Sequence, residues 1–190
     1  MIRPTKAELE AARSLVLRDV IRPGLGVLFC GINPGLYSGA TGHHFARPGN
    51  RFWPALFSSG FTPRLLTAAE DIDLPAFGCG VTNLVARTTA TAEELSPDEL
   101  VAGGARLKRK VARSRPRWVA ILGIGAYKRA FNRPVAIMRA QPGLLVGAQV
   151  WVLPNPSGLN ANYQLPALER AFRDLRKAAG MPALRRSRTR

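Results

Sequence analysis

The sequence predicts a single α/β domain: a four-stranded, mostly parallel sheet flanked by helices. Three observations carry this. Four apolar runs of strand length, at about 26–32, 79–85, 118–123 and 150–153, end at turn residues, as strands covered on both faces of a parallel sheet do. Helical patterns lie between them, and that alternation marks a layered α/β fold. Two of the runs break at Asn-Pro: Asn33-Pro34-Gly35 and Asn155-Pro156-Ser157-Gly158. In a parallel sheet both turns fall on the same carboxyl edge, where open α/β sheets bind ligands.

Thr5 and Glu8 form a T-x-x-E capping box, and Leu9, Ala12 and Val16 continue at helical spacing, so a helix is expected over 5–19. Residues 1–23 then form an N-terminal helical extension to a domain spanning 24–180. The first strand ends where Asn33 and Gly35 tolerate left-handed angles and Pro34 fixes φ; an Asn there either shapes the turn or faces a ligand. The glycine-rich stretch 36–50 lacks periodicity and is too long for an idle connection.

A short aromatic helix is expected from Arg51 to Gly60 and another over 63–74. After the second strand and a polar loop at 86–95, Ser96-Pro97-Asp98-Glu99 starts a helix over 97–113. Its Leu100, Leu107 and Val111 point inward, and Arg106, Lys108, Arg109, Lys110 and Arg113 outward. The third strand leads into a helix at 126–131, residues 132–148 read as loop with at most a strand edge, and the last helix spans 164–179. A basic tail, 181–190, is too charged to fold alone.

The composition narrows the partner. With 28 Lys and Arg against 12 Asp and Glu, the formal net charge is +16. Such an excess favours a polyanion, because each cation set against a phosphate releases counterions. No apolar run reaches the ~18 residues of a membrane span, and Met1–Thr5 lacks a signal-peptide core. Cys30 and Cys79 read as small buried thiols of a reducing cytoplasm. The adjacent His43 and His44 lack ligand spacing, so neither metal nor cofactor is expected. Gly123-x-Gly125 lacks the third glycine and the downstream acid of a dinucleotide fingerprint.

Taken together, Gly31-Ile32-Asn33-Pro34-Gly35 and Asn155-Pro156-Ser157-Gly158-Leu159 resemble the paired motifs of the mismatch-specific uracil-DNA glycosylases, relatives of thymine-DNA glycosylase. Asn50-Arg51-Phe52-Trp53, Cys79-Gly80-Val81-Thr82, Ala120-Ile121-Leu122-Gly123 and Trp151-Val152-Leu153-Pro154 extend the likeness over roughly 24–178. The resemblance implies a cofactor-free, monomeric DNA-repair enzyme that flips uracil, and in some members ethenocytosine or thymine, out of G·U-type mispairs and hydrolyses its glycosidic bond. The partner would be mismatched double-stranded DNA, with single strands as a second substrate, and the location cytoplasmic, at the nucleoid in a bacterium.

By resemblance, Asn33 positions the attacking water, Phe45 stacks on the flipped base, and the Ile32 backbone meets the pyrimidine edge. Gly35, Tyr37, Ser38, Asn83 and Asn155 complete the base pocket, and Leu159, flanked by Gly158 and Asn160, is the wedge that fills the gap in the duplex. The sequence departs from the family where Gly-Leu-Ser-Arg becomes Gly158-Leu159-Asn160-Ala161, and where Tyr37 and Asn83 replace Ser and Lys. The 86–99 loop carries Glu93, Glu94 and Asp98 beyond a strand's carboxyl end; Asp98 reads either as a helix-start acid complementing the dipole or as a carboxylate assisting the water. The competing function is a non-enzymatic nucleic-acid-binding protein, which would need the arginines but neither Asn33 nor Phe45 in a pocket.

Overall fold

Strand β1 (Val27–Gly31) is buried at every position, so both faces of the sheet need cover. Successive side chains of a strand alternate between faces: Val27 and Phe29 enter one core, Leu28 and Cys30 the other. This computed structural model describes residues 3–184. The arginine-rich stretch 185–190, most of the expected tail, lies outside the described residues.

β2 (Cys79–Asn83), β3 (Trp118–Leu122), β4 (Ala140–Leu145) and β5 (Ala148–Leu153) complete one sheet in the order β2-β1-β3-β5-β4. The first four in that order are parallel, and β4 pairs antiparallel with β5. The sheet therefore has five strands rather than four. β4 escaped the apolar-run criterion because it carries Pro142 and Gly143 and is largely exposed. An edge strand tolerates a proline that cannot donate to the ladder. Val146 and Gly147 both have positive φ (51° and 86°), as a two-residue hairpin turn requires.

Helix α1 (Lys6–Ala11) has the expected capping box but stops after six residues. A turn at 12–14 ends it, and the chain then runs on without helix through the rest of the expected 5–19 span: Val16 bridges Arg87, and just beyond that span Val20 bridges Val81. The Val20 and Val81 backbones exchange two hydrogen bonds of 2.9 Å each. Without them the outer edge of β2 would leave its backbone unpaired, and that demand outweighs the helical spacing. Lys110 reinforces the attachment instead of pointing outward, donating to Asp19 Oδ2 (2.8 Å) and to Thr82 Oγ1 (2.8 Å).

The stretch after β1 is not all loop; it opens as α2 (Leu36–Thr41). Then come α3 (Phe52–Ser58), a 3₁₀ segment at Ala68–Phe77 where a helix over 63–74 was expected, and α4 (Pro97–Ser114). The last two helices are α5 (Ile124–Phe131) and α6 (Leu165–Ala178). α4 and α5 cover one face through Leu100, Leu107, Val111, Tyr127 and Ala130. α3 and α6 cover the other through Phe52, Leu56, Leu168, Phe172 and Leu175.

The chain leaves β1 for β2 on one side, then crosses back to β3 on the other. The connections after β1 and β3 part there, and such a switch point opens a crevice beyond the carboxyl ends of the strands.

Candidate active site

A cavity of about 340 Å³ occupies that crevice, near the lower end of the ~300–1,000 Å³ of small-molecule pockets. Every parallel strand contributes: Gly31 and the Ile32–Gly35 turn after β1, Asn83 and the loop at 89–93 after β2, Leu122 from β3, and Asn155, Leu159 and Asn160 after β5. Ser38, His44 and Phe45 close it from the α2 side.

Asn33 has a defined amide orientation. Its Nδ2 donates to Thr89 Oγ1 (2.6 Å) and Pro34 O (3.1 Å), with Arg87 O at 3.4 Å. Two of these are carbonyls, which only accept, and the Thr89 hydroxyl spends its hydrogen on Thr91 O (2.6 Å). The nitrogen must therefore face this cluster. The amide is held by its nitrogen, on a residue that lines the cavity. The turn itself is fastened by Val85 N–H to Ile32 O (3.0 Å) and Thr89 N–H to Pro34 O (3.2 Å).

Phe45 sits with φ 54°, a left-handed conformation that costs a non-glycine residue about 1–3 kcal/mol. Its neighbours hold it there. His44 N–H donates to Asp71 Oδ2 (2.9 Å), Trp53 Nε1 donates to His44 O (3.2 Å), and Ala46 N–H donates to Ser38 Oγ (3.2 Å). One face of the Phe45 ring stacks on Phe52, with centroids 4.1 Å apart and planes at 24°. Phe45 also lines the cavity, so the site carries an aromatic side chain backed by a second ring.

His44 orients Asn83. Its Nε2 lies 2.8 Å from Arg18 O and so carries the hydrogen, which leaves Nδ1 to accept from Asn83 Nδ2 at 3.4 Å. Burial holds the imidazole below its ordinary pKa, in the neutral form this arrangement needs. Asn83 Oδ1 consequently lies over Gly31: a Cβ added there would sit 2.4 Å from it and 3.5 Å from Phe45 Cζ. Glycine at 31 is what lets the acceptor and the ring approach.

The β5 turn is shaped by Asn155, whose Oδ1 accepts from Ser157 N–H (3.0 Å) and whose carbonyl accepts from Asn160 Nδ2 (2.9 Å). Leu159 projects from it 69% exposed, a large apolar side chain held in solvent beside the cavity. Gly158 packs its backbone on Gly49, where a Cβ would meet the carbonyl at 2.7 Å.

Of the residues the sequence singled out, Ile32, Asn33, Gly35, Ser38, Phe45, Asn83, Asn155, Leu159 and Asn160 share the cavity, while Tyr37 and Gly158 do not line it. Asp98 sits apart, in a shallow depression with Glu99, Arg87 and Arg106. The acid on the cavity wall is Glu93. Its own backbone N–H and the Thr91 hydroxyl hold its carboxyl below the usual range, so it is ionised at neutral pH. The 86–99 loop was expected to offer an acid, and of its Glu93, Glu94 and Asp98 it is Glu93 that lines the cavity, while Thr89 and the orienting part of His44 were not identified from sequence. Burial pushes the Cys30 thiol up to about 12, and Cys79 is raised too; neither is a reactive thiolate.

The 28 Lys and Arg outnumber the 12 Asp and Glu by 16, so at least that many cations have no acid to pair with one to one. No helix among the described residues is long and apolar enough to cross a membrane. The profile of the Uracil DNA glycosylase superfamily matches residues 18–176.

Proposed function

This chain belongs to the uracil DNA glycosylase superfamily, whose members excise uracil-type lesions from DNA, and we propose that it is a monofunctional glycosylase acting on uracil in mismatched duplexes. The observation that carries this reading is the Asn33 amide, its nitrogen fixed by Thr89, on the wall of a cavity that Phe45 also lines. A non-enzymatic DNA-binding protein has no use for that arrangement. Ethenocytosine and thymine are the further substrates the same pocket is proposed to take.

A base inside a duplex is out of reach and must be flipped out, at a cost of a few kcal/mol that is smallest for a mispair. Leu159, entering the vacated stack, recovers about 1.5–3 kcal/mol of apolar burial. The base then lies on Phe45, and Asn83 Oδ1 offers an acceptor that matches the N3–H of uracil. The C1′–N1 bond breaks with its electron pair leaving on the base, which becomes an anion, and the sugar becomes cationic.

A water held by Asn33 Oδ1 keeps a lone pair for C1′ and forms the new C–O bond. Asn33 cannot take up the proton at neutral pH. Glu93, ionised on the same wall, is proposed to favour the sugar cation and the proton's departure, replacing Asp98 in that role. The water's proton ends on the base or in solvent, which balances the hydrolysis.

The test is incubation with a G·U duplex followed by alkali. Strand scission at the uracil position is expected, while binding without scission would leave the non-enzymatic reading.

A further inference from the structure

Residues 156–163 contain neither helix nor strand, yet they carry Leu159 into solvent. Most of the loop's own hydrogen bonds, such as Asn160 N–H to Ser157 O (3.0 Å) and Asn160 Nδ2 to Asn155 O (2.9 Å), run within the turn. They give it shape but do not fasten it to the body of the protein. One side chain does. Arg51 Nη2 donates to Gly158 O (2.9 Å), Nη1 donates to Asn160 O (3.2 Å), and Nη1 also donates to Tyr163 O. Its backbone N–H adds a bond to Pro156 O (2.9 Å).

The choice of residue is informative. A guanidinium presents five N–H donors in a rigid planar fork, which can bridge several carbonyls at once, whereas an ammonium acts as a point charge. In a chain with a surplus of cations for a polyanion, this arginine is committed to neutral carbonyls. It also precedes Phe52, the ring beneath Phe45, and follows Gly49, on which Gly158 packs. Four consecutive residues, 49–52, thus anchor both the Phe45 ring and the loop that carries Leu159.

We infer that Arg51 is a positioning residue for base flipping: it holds the 156–163 loop so that Leu159 enters the duplex in register with the pocket. The inference rests on the glycosylase reading with Leu159 as the wedge. Its mark is selectivity for duplex substrates, since a single strand has no stack to fill. A loop adrift by about an ångström can cost up to roughly 100-fold in a positioned reaction, and that cost falls on the duplex.

The experiment compares wild type, Arg51→Met, Arg51→Lys, Gly158→Ala and Leu159→Ala, each checked for folding by thermal melting. Single-turnover excision is measured on a G·U duplex and on the uracil strand alone, together with the fluorescence of 2-aminopurine placed beside the uracil. Arg51→Met is expected to slow the duplex reaction by about 10- to 100-fold. Its loss on the single strand should be at least about tenfold smaller, and the 2-aminopurine rise should shrink. Gly158→Ala, which drives the same loop off Gly49, should share the pattern, and Arg51→Lys should fall between. Equal losses on both substrates, or an unchanged 2-aminopurine signal in Arg51→Met, would overturn the inference while leaving the glycosylase reading intact. If Leu159→Ala does not change the duplex-to-single-strand ratio, the wedge reading falls and takes the inference with it. No excision by wild type on either substrate would instead remove the glycosylase reading itself.

Discussion

The Asn33 amide nitrogen and the Thr89 hydroxyl oxygen are 2.6 Å apart, and Thr89 gives its own hydrogen to Thr91 O. A residue in the β1 turn is thereby oriented by one 56 positions later, in the loop after β2. Asn33→Ala should slow single-turnover excision by about 100-fold or more, because it removes the group proposed to position the water. Thr89→Val keeps the shape but deletes the acceptor, so the amide can rotate; a loss of about tenfold is expected, with Thr89→Ser restoring most of it. DNA affinity should hardly move in any of the three. Excision by Thr89→Val equal to wild type would mean the two carbonyls alone set the amide.

His44 should make the site and the fold pH-dependent in a defined direction. Burial lowers its folded pKa, so as pH falls below the ordinary value of about 6.5 the unfolded chain takes up the proton first. The stability from keeping the ring neutral is complete above that value and is lost as pH drops through the lowered folded pKa. Protonation also puts a hydrogen on Nδ1, facing Asn83 Nδ2, and the Asn83 amide must turn its oxygen away from the cavity. Urea midpoints should therefore fall between pH 7 and pH 5 in wild type and fall less in His44→Gln. That window lies above the titration of Glu8, Glu70, Glu93, Glu94 and Glu99, whose pKa values are all lowered. Parallel slopes for the two proteins would exclude His44 as the source.

The two acids near the 86–99 loop are separable by mutation. Glu93 lines the cavity, and Asp98 lies in the other depression beside Glu99. Glu93→Gln should slow excision at saturating enzyme by about tenfold or more if the carboxylate assists departure of the proton. Asp98→Asn should stay within about twofold, ~0.4 kcal/mol. The reverse ranking would restore Asp98 as the assisting group.

These residues also mark where sequence reading ends. The strands that build the crevice were legible because a buried parallel strand leaves a compact apolar run, and the Asn-Pro turns because few residues bend a chain so sharply. β4 was not, since an exposed edge strand with a proline has no such run. His44 was invisible as an orienting group because its decisive partner is the carbonyl of Arg18, brought in by a segment that reads as helix but runs on without helix to bridge β2. Choosing between Glu93 and Asp98 required knowing that a 3₁₀ turn at Ala92–Glu94 faces the crevice, whereas Asp98 starts α4. Arg51 was legible only as a helix start and a member of the Asn50-Arg51-Phe52-Trp53 motif, because its three carbonyl partners lie more than a hundred residues away and converge only in the fold.

On the proposed reading, opposite-base choice should turn on a residue that is absent. Leu159 can hold the gap by apolar contact alone, which carries no information about the orphaned base. Two positions on, Ala161 is exposed and too short to reach a base edge. Each good base-edge contact is worth about 1–3 kcal/mol of discrimination, so this chain should distinguish G·U from A·U mainly by how easily each pair opens. Excision opposite adenine, and from single strands, should accordingly approach the G·U rate. Ala161→Arg supplies a bidentate donor that matches guanine O6 and N7 and should widen the G·U to A·U ratio by about fivefold or more, near 1 kcal/mol. Leu159→Ala should lower both duplex rates together and leave their ratio where it was. The measurement is single-turnover excision on G·U, A·U and single-stranded uracil at one salt concentration. An unchanged ratio in Ala161→Arg would break the link between this position and the opposite base, and would return the discrimination to the pairs themselves.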